Sequence, residues 1–454
     1  MKGHYLAAFV LAGVWSSPAP AQRFTNLHSL GCPDGTTPCA GLATTGGALY
    51  GAAKNYGGGN YGSVFRLGAD GTDFTKLCTF DPGANGGNPC GTLAAAGDWL
   101  YGTLLAGAAG SGGLFAISTH GSGLASLHRF SGLDYTVFPG TNGDGAGPAT
   151  GLTLSGGTLY GTAGSGGGWG WGCLFAVGAN GLGFTNLHSL KYAEGEYPGP
   201  LLLAGHTLYG AGAGGGANGY GSLFKINTNG TGFASLHHFT IPDYLAGTNE
   251  DGVYPQGSLV LSGNTLYGAT HQGGHFKNGT IFRITTNGTG FMVLHHFSAT
   301  NAAGLNADGA SPHAGLVLWS NLLFGTAQLG GSSGCGTVFQ LRTDGADYAT
   351  LHSFTTTNTA SGTNWDGAHP LAELLSAGSV LYGTTSTGGA AGQGTVFSIL
   401  CAPPLDSTPQ EPEVVLTSPA KAGGLSLEST TNQAASSWST VSGQDIITTP
   451  AAER

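Results

Sequence analysis

The stretch from Pro255 to Phe297 reads PQGSLVLSGNTLYGATHQGGHFKNGTIFRITTNGTGFMVLHHF, and it decides the fold because the chain repeats its pattern seven times. Counted from the proline, Tyr267 follows after 12 residues, Phe282 after a further 15, and the Leu294-His295 pair after a further 12. Aligned on Pro38, Pro89, Pro148, Pro198, Pro255, Pro312 and Pro370, the repeats place Tyr50, Tyr101, Tyr160, Tyr209, Tyr267, Phe324 and Tyr382 at one position. Each lies between a leucine and a glycine. Phe65, Phe115, Phe175, Phe224, Phe282, Phe339 and Phe397 follow at 14 or 15 residues. Spacing this constant implies fixed strand registers.

Each repeat is expected to hold four strands: one after the proline, one around Leu-Tyr-Gly, one around Val-Phe, and one ending in Leu-His-Ser-Phe or a variant. Proline is tolerated at the first residue of a strand, where its missing N–H costs least. Between the third and fourth strands stand Asp70-Gly71, His120-Gly121, Asn180-Gly181, Asn229-Gly230, Asn287-Gly288 and Asp344-Gly345. Asn-Gly and Asp-Gly between apolar strands mark hairpins, and a type I′ turn is the expectation. Each repeat is therefore an antiparallel meander, too small to bury its own faces, which must stack on its neighbours.

Four-stranded units packed radially make a β-propeller. The ends of the array exclude an open solenoid. Phe24 to Leu30 repeats Phe184 to Leu190 residue for residue and is a fourth strand without the three before it. At the other end, Gly394 to Leu400 is a third strand with no fourth after it. The two fragments complete one blade. An all-β, seven-bladed propeller follows, closed by the N-terminal strand pairing in the last blade.

Composition agrees. Only 8% of the 454 residues are charged and 86 are glycine, which suits short strands and tight turns better than helices. The net charge of −10 and the absence of any basic run disfavour a nucleic-acid partner. Lys2, the apolar run Tyr5 to Trp15 and Ala19-Pro20-Ala21 read as a signal peptide over residues 1–21, shorter than the roughly 20 apolar residues of a membrane span. The mature chain is expected to be secreted, extracellular, periplasmic or at the cell surface, without a membrane span and as a monomer. Residues 22–401 form the propeller. Residues 402–454, rich in Pro, Ser, Thr and Ala, read as a low-complexity, disordered tail in which Val414 to Leu416 could form a short strand. In an oxidising compartment, Cys32 with Cys39 and Cys78 with Cys90 bracket equivalent loops and are expected to form local disulfides, though four cysteines allow other pairings. The spacing of a structural zinc site is missing. Cys173 and Cys335 read as buried thiols.

Repeat seven carries Asp366-Gly367, Pro370, Leu381-Tyr382-Gly383-Thr384-Thr385, Gly388-Gly389 and Gly394-Thr395-Val396-Phe397, and Leu351 to Phe354 shows the fourth-strand signature. This pattern resembles the GloVer (Gloeobacter/Verrucomicrobia) tandem repeat of bacterial choice-of-anchor proteins over roughly residues 24 to 400. The resemblance implies an exported repeat protein with a C-terminal anchor and supplies no activity. The tail lacks the apolar segment and basic residues such an anchor would have.

For function, length varies between the Leu-His pair and the next proline: 10, 11, 20, 10, 18, 17 and 18 residues. In a propeller this connection shares a face with the loop between strands two and three, and variable loops on a rigid scaffold are where binding usually resides. Trp169, Trp171, Tyr220, Tyr244 and Trp365 are the candidate ligand contacts there, flat rings suited to stacking on sugars, although rings packing the loops together would explain them as well. His271 and His275 join them from one Gly-rich loop; two histidines are too few for a metal site, and a solvated loop explains them more simply. The repeated His28, His128, His188, His237, His295 and His352 are spread around the rim and cannot converge on one ion, so they read as structural hydrogen-bond formers. The pairs Asn142/Asp144, Asn249/Asp251, Asn306/Asp308 and Asn364/Asp366 offer fewer oxygens than the 6–8 of calcium and read as Asx turns. Glu194, Glu196, Glu250 and Glu373 are the glutamates of the ring, and no Gly-x-Ser-x-Gly or phosphate loop is present. A binding module, with glycans as the candidate ligand and without cofactor or metal, is the leading expectation. A hydrolase or lyase with its site at the central channel, and a purely structural surface protein, are the alternatives.

Overall fold

The computed structural model describes residues 23–401, apart from 59, 60, 82, 108 and 109, together with 428–429 and 439–440. The segment 1–21 expected to be a signal peptide, the strand considered at Val414 to Leu416 and nearly all of the 402–454 segment lie outside the described residues. The described residues fall into two units, 23–401 in the first and the two short segments 428–429 and 439–440 in the second. In the second, Glu428–Ser429 pairs with Ser439–Thr440.

The first unit is a ring of seven antiparallel four-stranded sheets, here numbered blades 1 to 7. Blades 1 to 6 cover residues 43–79, 87–129, 153–189, 196–238, 260–296 and 317–353, and blade 7 joins 375–400 to 23–29. The closing strand Arg23–Ser29 pairs with Thr395–Leu400, with Phe24 opposite Ile399 and Asn26 opposite Phe397. The only helical turn among the described residues is a 3-10 turn, Tyr192–Glu194, and no helix is long and apolar enough to cross a membrane.

The repeated residues are the core. The strand-three phenylalanines, Phe65 through Phe397, are at most 2% exposed. Each needs the glycine of Leu-Tyr-Gly: a Cβ on Gly268 would lie 2.6 Å from the Phe282 ring. Strands three and four meet in a different turn from the one expected. At 285–289 only Gly288 has positive φ (87°), while Asn287 does not, so the type I′ assignment is wrong. Thr285 N–H donates to Thr289 O, Gly288 N–H to Thr285 O, and Asn287 Oδ1 accepts from Thr289, the pattern of a type I turn followed by a left-handed glycine. The Asn side chain holds the turn, and a Cβ on Gly288 would approach Leu236 O of the preceding blade at 3.0 Å. That leucine is bulged out of its ladder, as Leu27 is between Asn26 and His28.

In every blade but blade 1, the histidine after the bulge joins one blade to the next. His28, His128, His188, His237, His295 and His352 stack on Phe74, Phe184, Phe233, Phe291, Tyr348 and Phe24 at ring-centroid distances of 3.7–4.1 Å. Each Nε2 faces a carboxylate four residues before the next proline, at 2.9–3.0 Å for His128, His188, His237, His295 and His352 and 3.5 Å for His28. In the same connections Asn142, Asn249, Asn306 and Asn364 accept backbone N–H groups through Oδ1, from Gly145, Gly252, Gly309 and Gly367, and from the loop glycines Gly167, Gly274, Gly331 and Gly389.

Two further expectations are corrected. In blades 1, 3, 5, 6 and 7 the first paired strand starts five residues after the proline, as at Val260 in blade 5. In blades 2 and 4 short strands, Gly87–Pro89 and Glu196–Pro198, end on the proline and pair with strand two. In neither case does the proline open a strand, and the residues just after it run as an unpaired inner wall. All seven cysteines are free thiols, so neither Cys32–Cys39 nor Cys78–Cys90 is a disulfide. The reason is topological. Cys78 stands on the outer strand of blade 1, in the column that elsewhere holds histidine, and Cys90 on the inner wall of blade 2. There Cys90 Sγ lies 2.9 Å from Cys39 Sγ.

Candidate functional site

The inner walls of the seven blades surround a cavity of about 560 Å³. It reaches Leu105, Gly164, Ser165 and Ala213, where strand two enters its loop, and so lies at the long-loop end of the channel. The residue after each proline lines it: Cys39, Cys90, Ala149, Gly199, Gln256, His313 and Leu371. So does the residue two further on: Gly41, Thr92, Gly151, Ser258, Gly315 and Glu373, blade 4 being one residue shorter. The next position is leucine in every blade, Leu42 through Leu374, and is buried each time. The backbone thus presents two chemically mixed columns to the channel beside one uniform column in the core.

The residue before each proline is also unusual. Thr37, Asn88, Tyr197, Tyr254, Ser311 and His369 all have φ between 49° and 60°, and the seventh position is Gly147, at 63°. A residue preceding proline ordinarily stays extended, so seven left-handed positions must be held by their surroundings. Their hydrogen bonds do this. Tyr254 N–H donates to Tyr220 O of blade 4 and Tyr254 O accepts from His271 of its own blade; Ser311 and His369 do the same with Asn278 and Gln328, and with Cys335 and Ser386. The kink joins adjacent blades at the rim, and at blade 4 it sets Tyr197 in the cavity wall.

The polar groups concentrate on blades 5 to 7, where the cavity meets Gln256, Ser258, His313 and Glu373. A Cβ on Gly315 would fall 1.9 Å from Ser258 Oγ, so blade 6 presents bare backbone between the blade 5 serine and the blade 7 glutamate. Ser258 Oγ is buried with no partner at hydrogen-bond distance. It is nevertheless near enough to Glu373 to hold its pKa down in part, against the larger effect of burial, which pushes it up to about 7. Burial lowers the His313 pKa, opposed by a hydrogen bond that the imidazole donates to the Leu371 backbone. His271 packs edge-on against His313 at 5.6 Å, and burial with the His313 charge takes its pKa down to about 4. Near neutral pH the cavity wall therefore holds one neutral imidazole, His313, backed by the neutral His271, together with a carboxyl poised between its two forms. Such a set can donate and accept hydrogen bonds, and Glu373 can move a proton.

None of the ligand contacts expected from sequence lines this cavity. Trp169 is 56% exposed, with the Lys191 ammonium 5.5 Å from its ring. Trp171 is half-buried against Tyr192, and Tyr220 against Tyr254. Tyr244 is 98% exposed, and Trp365 meets Phe24 edge-on. No two of the seven are in ring contact with one another among the described residues, so the structure assembles no shared platform from them. The two histidines also part company. His271 goes inward to His313, while His275 stacks on His296 at 3.7 Å with Glu250 Oε2 3.0 Å from its Nε2. Glu250, His275 and His296 form a cluster whose donor atoms lie within 4.8 Å of one another. The channel residues were missed because they sit inside the interval of fixed length. The signal that finds them is variation of side-chain type within a column of constant position.

These observations define a closed seven-bladed propeller with a ligand-sized cavity at its axis. The chain belongs to the Gloeobacter/Verrucomicrobia repeat family, whose profile matches residues 12–141, 135–307 and 247–404. None of the curated proteins compared matches it. Among solved structures it is similar to an oligogalacturonate lyase in complex with manganese (11% identity, 85% of this chain and 94% of that one, TM-score 0.48). It is also similar to a putative 6-phosphogluconolactonase from Bacteroides fragilis (15%, 75% and 88%, TM-score 0.46) and to a chain of a nidogen/laminin complex (13%, 64% and 91%, TM-score 0.41). At such identities these likenesses carry no information on activity.

Proposed function

We propose that the protein is an exported binding propeller that holds a small, neutral, hydroxylated ligand of sugar type in the channel cavity. The observation that carries this reading is the pair of mixed columns lining one cavity on an otherwise repeated scaffold. Gln256, Ser258, His313 and Glu373 offer hydrogen bonds from one side, and the Tyr197 ring and Leu371 offer apolar surface. A volume of about 560 Å³ falls within the range of small-molecule sites. Calorimetric titration of a panel of mono- and disaccharides tests it. Glu373→Ala should abolish binding and Trp169→Ala with Trp171→Ala should leave it unchanged; the reverse pattern would move the ligand to the exposed loop aromatics.

A second reading, a hydrolase or lyase at the channel, is favoured by one observation: Glu373 has a pKa near neutrality in the same cavity as a neutral imidazole. It requires turnover of the bound sugar that vanishes in Glu373→Gln while binding persists.

A further inference from the structure

On the channel wall that follows blade 7 around the ring, Cys39 of blade 1 and Cys90 of blade 2 hold the same position after their prolines. Their sulfurs are 2.9 Å apart, and both line the cavity. The backbones are close at this seam, since Gly41 N–H donates to Thr92 Oγ1 at 3.1 Å two residues further along each wall. No other adjacent pair of blades brings two nucleophilic side chains together in this column. We propose that Cys39 and Cys90 form a dithiol site in the channel wall that reacts with small disulfides and closes into a bond joining blades 1 and 2. It stands whether or not a second ligand occupies the polar side of the channel.

The electrostatics suit that chemistry. Cys39 keeps its proton, chiefly because its thiol is hydrogen-bonded to Cys90. The Cys90 pKa is brought down, first by that hydrogen bond, against burial, and then by the charge of Lys54. A thiolate is the attacking species in exchange, and lowering the pKa raises its population. In the first step the Cys90 thiolate attacks one sulfur of a disulfide RSSR, forming a mixed disulfide and releasing RS⁻, which takes a proton. In the second, Cys39 loses its proton and attacks the Cys90 sulfur, expelling the second RS⁻. The net change is two protein thiols and RSSR to one protein disulfide and two RSH. The small disulfide is the oxidant, and the cavity is its route. The other five cysteines are placed differently: Cys173, Cys335 and Cys401 are buried, Cys78 lies on the outer strand, and Cys32 is exposed in a connection.

The test uses the full chain, reduced and then freed of reductant. Oxidised glutathione is added, remaining thiols are alkylated, and peptides are mapped by mass spectrometry. The expected result is loss of two thiols with a Cys39–Cys90 cross-linked peptide, and a melting temperature raised by several degrees that returns on reduction. Cys39→Ser should retain one glutathione on Cys90 instead of releasing it. A cross-link through Cys32 or Cys78, or alkylation of Cys90 no faster than that of buried Cys173, would overturn the proposal. Because the cross-link is read on the wild-type chain, the test does not depend on the variant folding.

Discussion

Glu373 shows how much one column position can change the chemistry of a repeated scaffold. Blade 6 has Gly315 in that column and blade 3 has Gly151, whereas blade 7 directs a carboxyl into an enclosed space. Burial raises its pKa from 4.5 to about 7, so the folded state binds a proton that the unfolded chain releases. Stability from this group is fully present below pH 4.5 and is lost as pH rises through about 7. Glu373→Gln should therefore be more stable than wild type at pH 8 by about 3 kcal/mol and indistinguishable from it near pH 4.5, read from melts across that range. Asp308 has the opposite sign. Burial pushes its pKa up, but hydrogen bonds from His295 and from the Ser298 side chain and backbone outweigh that and leave it below the ordinary 3.8. Its contribution is present above that value and is lost as pH falls through the lower folded-state one. Asp308→Asn should cost about 2 kcal/mol at pH 7 and flatten the acid limb of the stability curve.

At the scale of the element, the unit of cohesion is the seam rather than the blade. Six seams carry a histidine, the carboxylate four residues before the next proline, and an aromatic from the following blade. The seam from blade 1 to blade 2 differs at all three places at once, with Cys78, Asn85 and Leu124. Without an imidazole there is no N–H for a carboxylate to accept and no flat ring to stack, and Cys78 and Leu124 pack on one apolar cluster instead. Asn85 still accepts the N–H of Asp81, as Asp251 accepts that of Thr240. The triple change Cys78→His, Asn85→Asp and Leu124→Phe should be at least as stable as wild type. Each single change should cost about 1 kcal/mol, and denaturant midpoints that are additive across the set would contradict coupling at the seam.

For the whole molecule, closure rests on the first described strand. Removing residues 23–30 takes the fourth strand from blade 7 and the Phe24 ring from His352 and Phe397. That deletion should abolish cooperative melting, whereas a permuted chain carrying 23–30 after residue 401 should melt within a few degrees of wild type, because the same ladder forms. The blade count, strand order and closing pair were legible because periodic burial writes itself into sequence: Tyr-Gly, Val-Phe and Leu-His recur wherever the same packing recurs. The cavity was less legible. Gln256, Ser258, His313 and Glu373 come from three blades and up to 117 residues apart, and only the ring brings them to one wall. Cys39 and Cys90 likewise face each other because adjacent blades present the same position to the axis, which spacing along the chain does not reveal. Sequence by itself determined the repeat, its register and the ring, since those are local patterns multiplied by seven. The tertiary structure decided which of the unlike residues meet, since convergence at an axis is a property of the closed ring and of no single repeat.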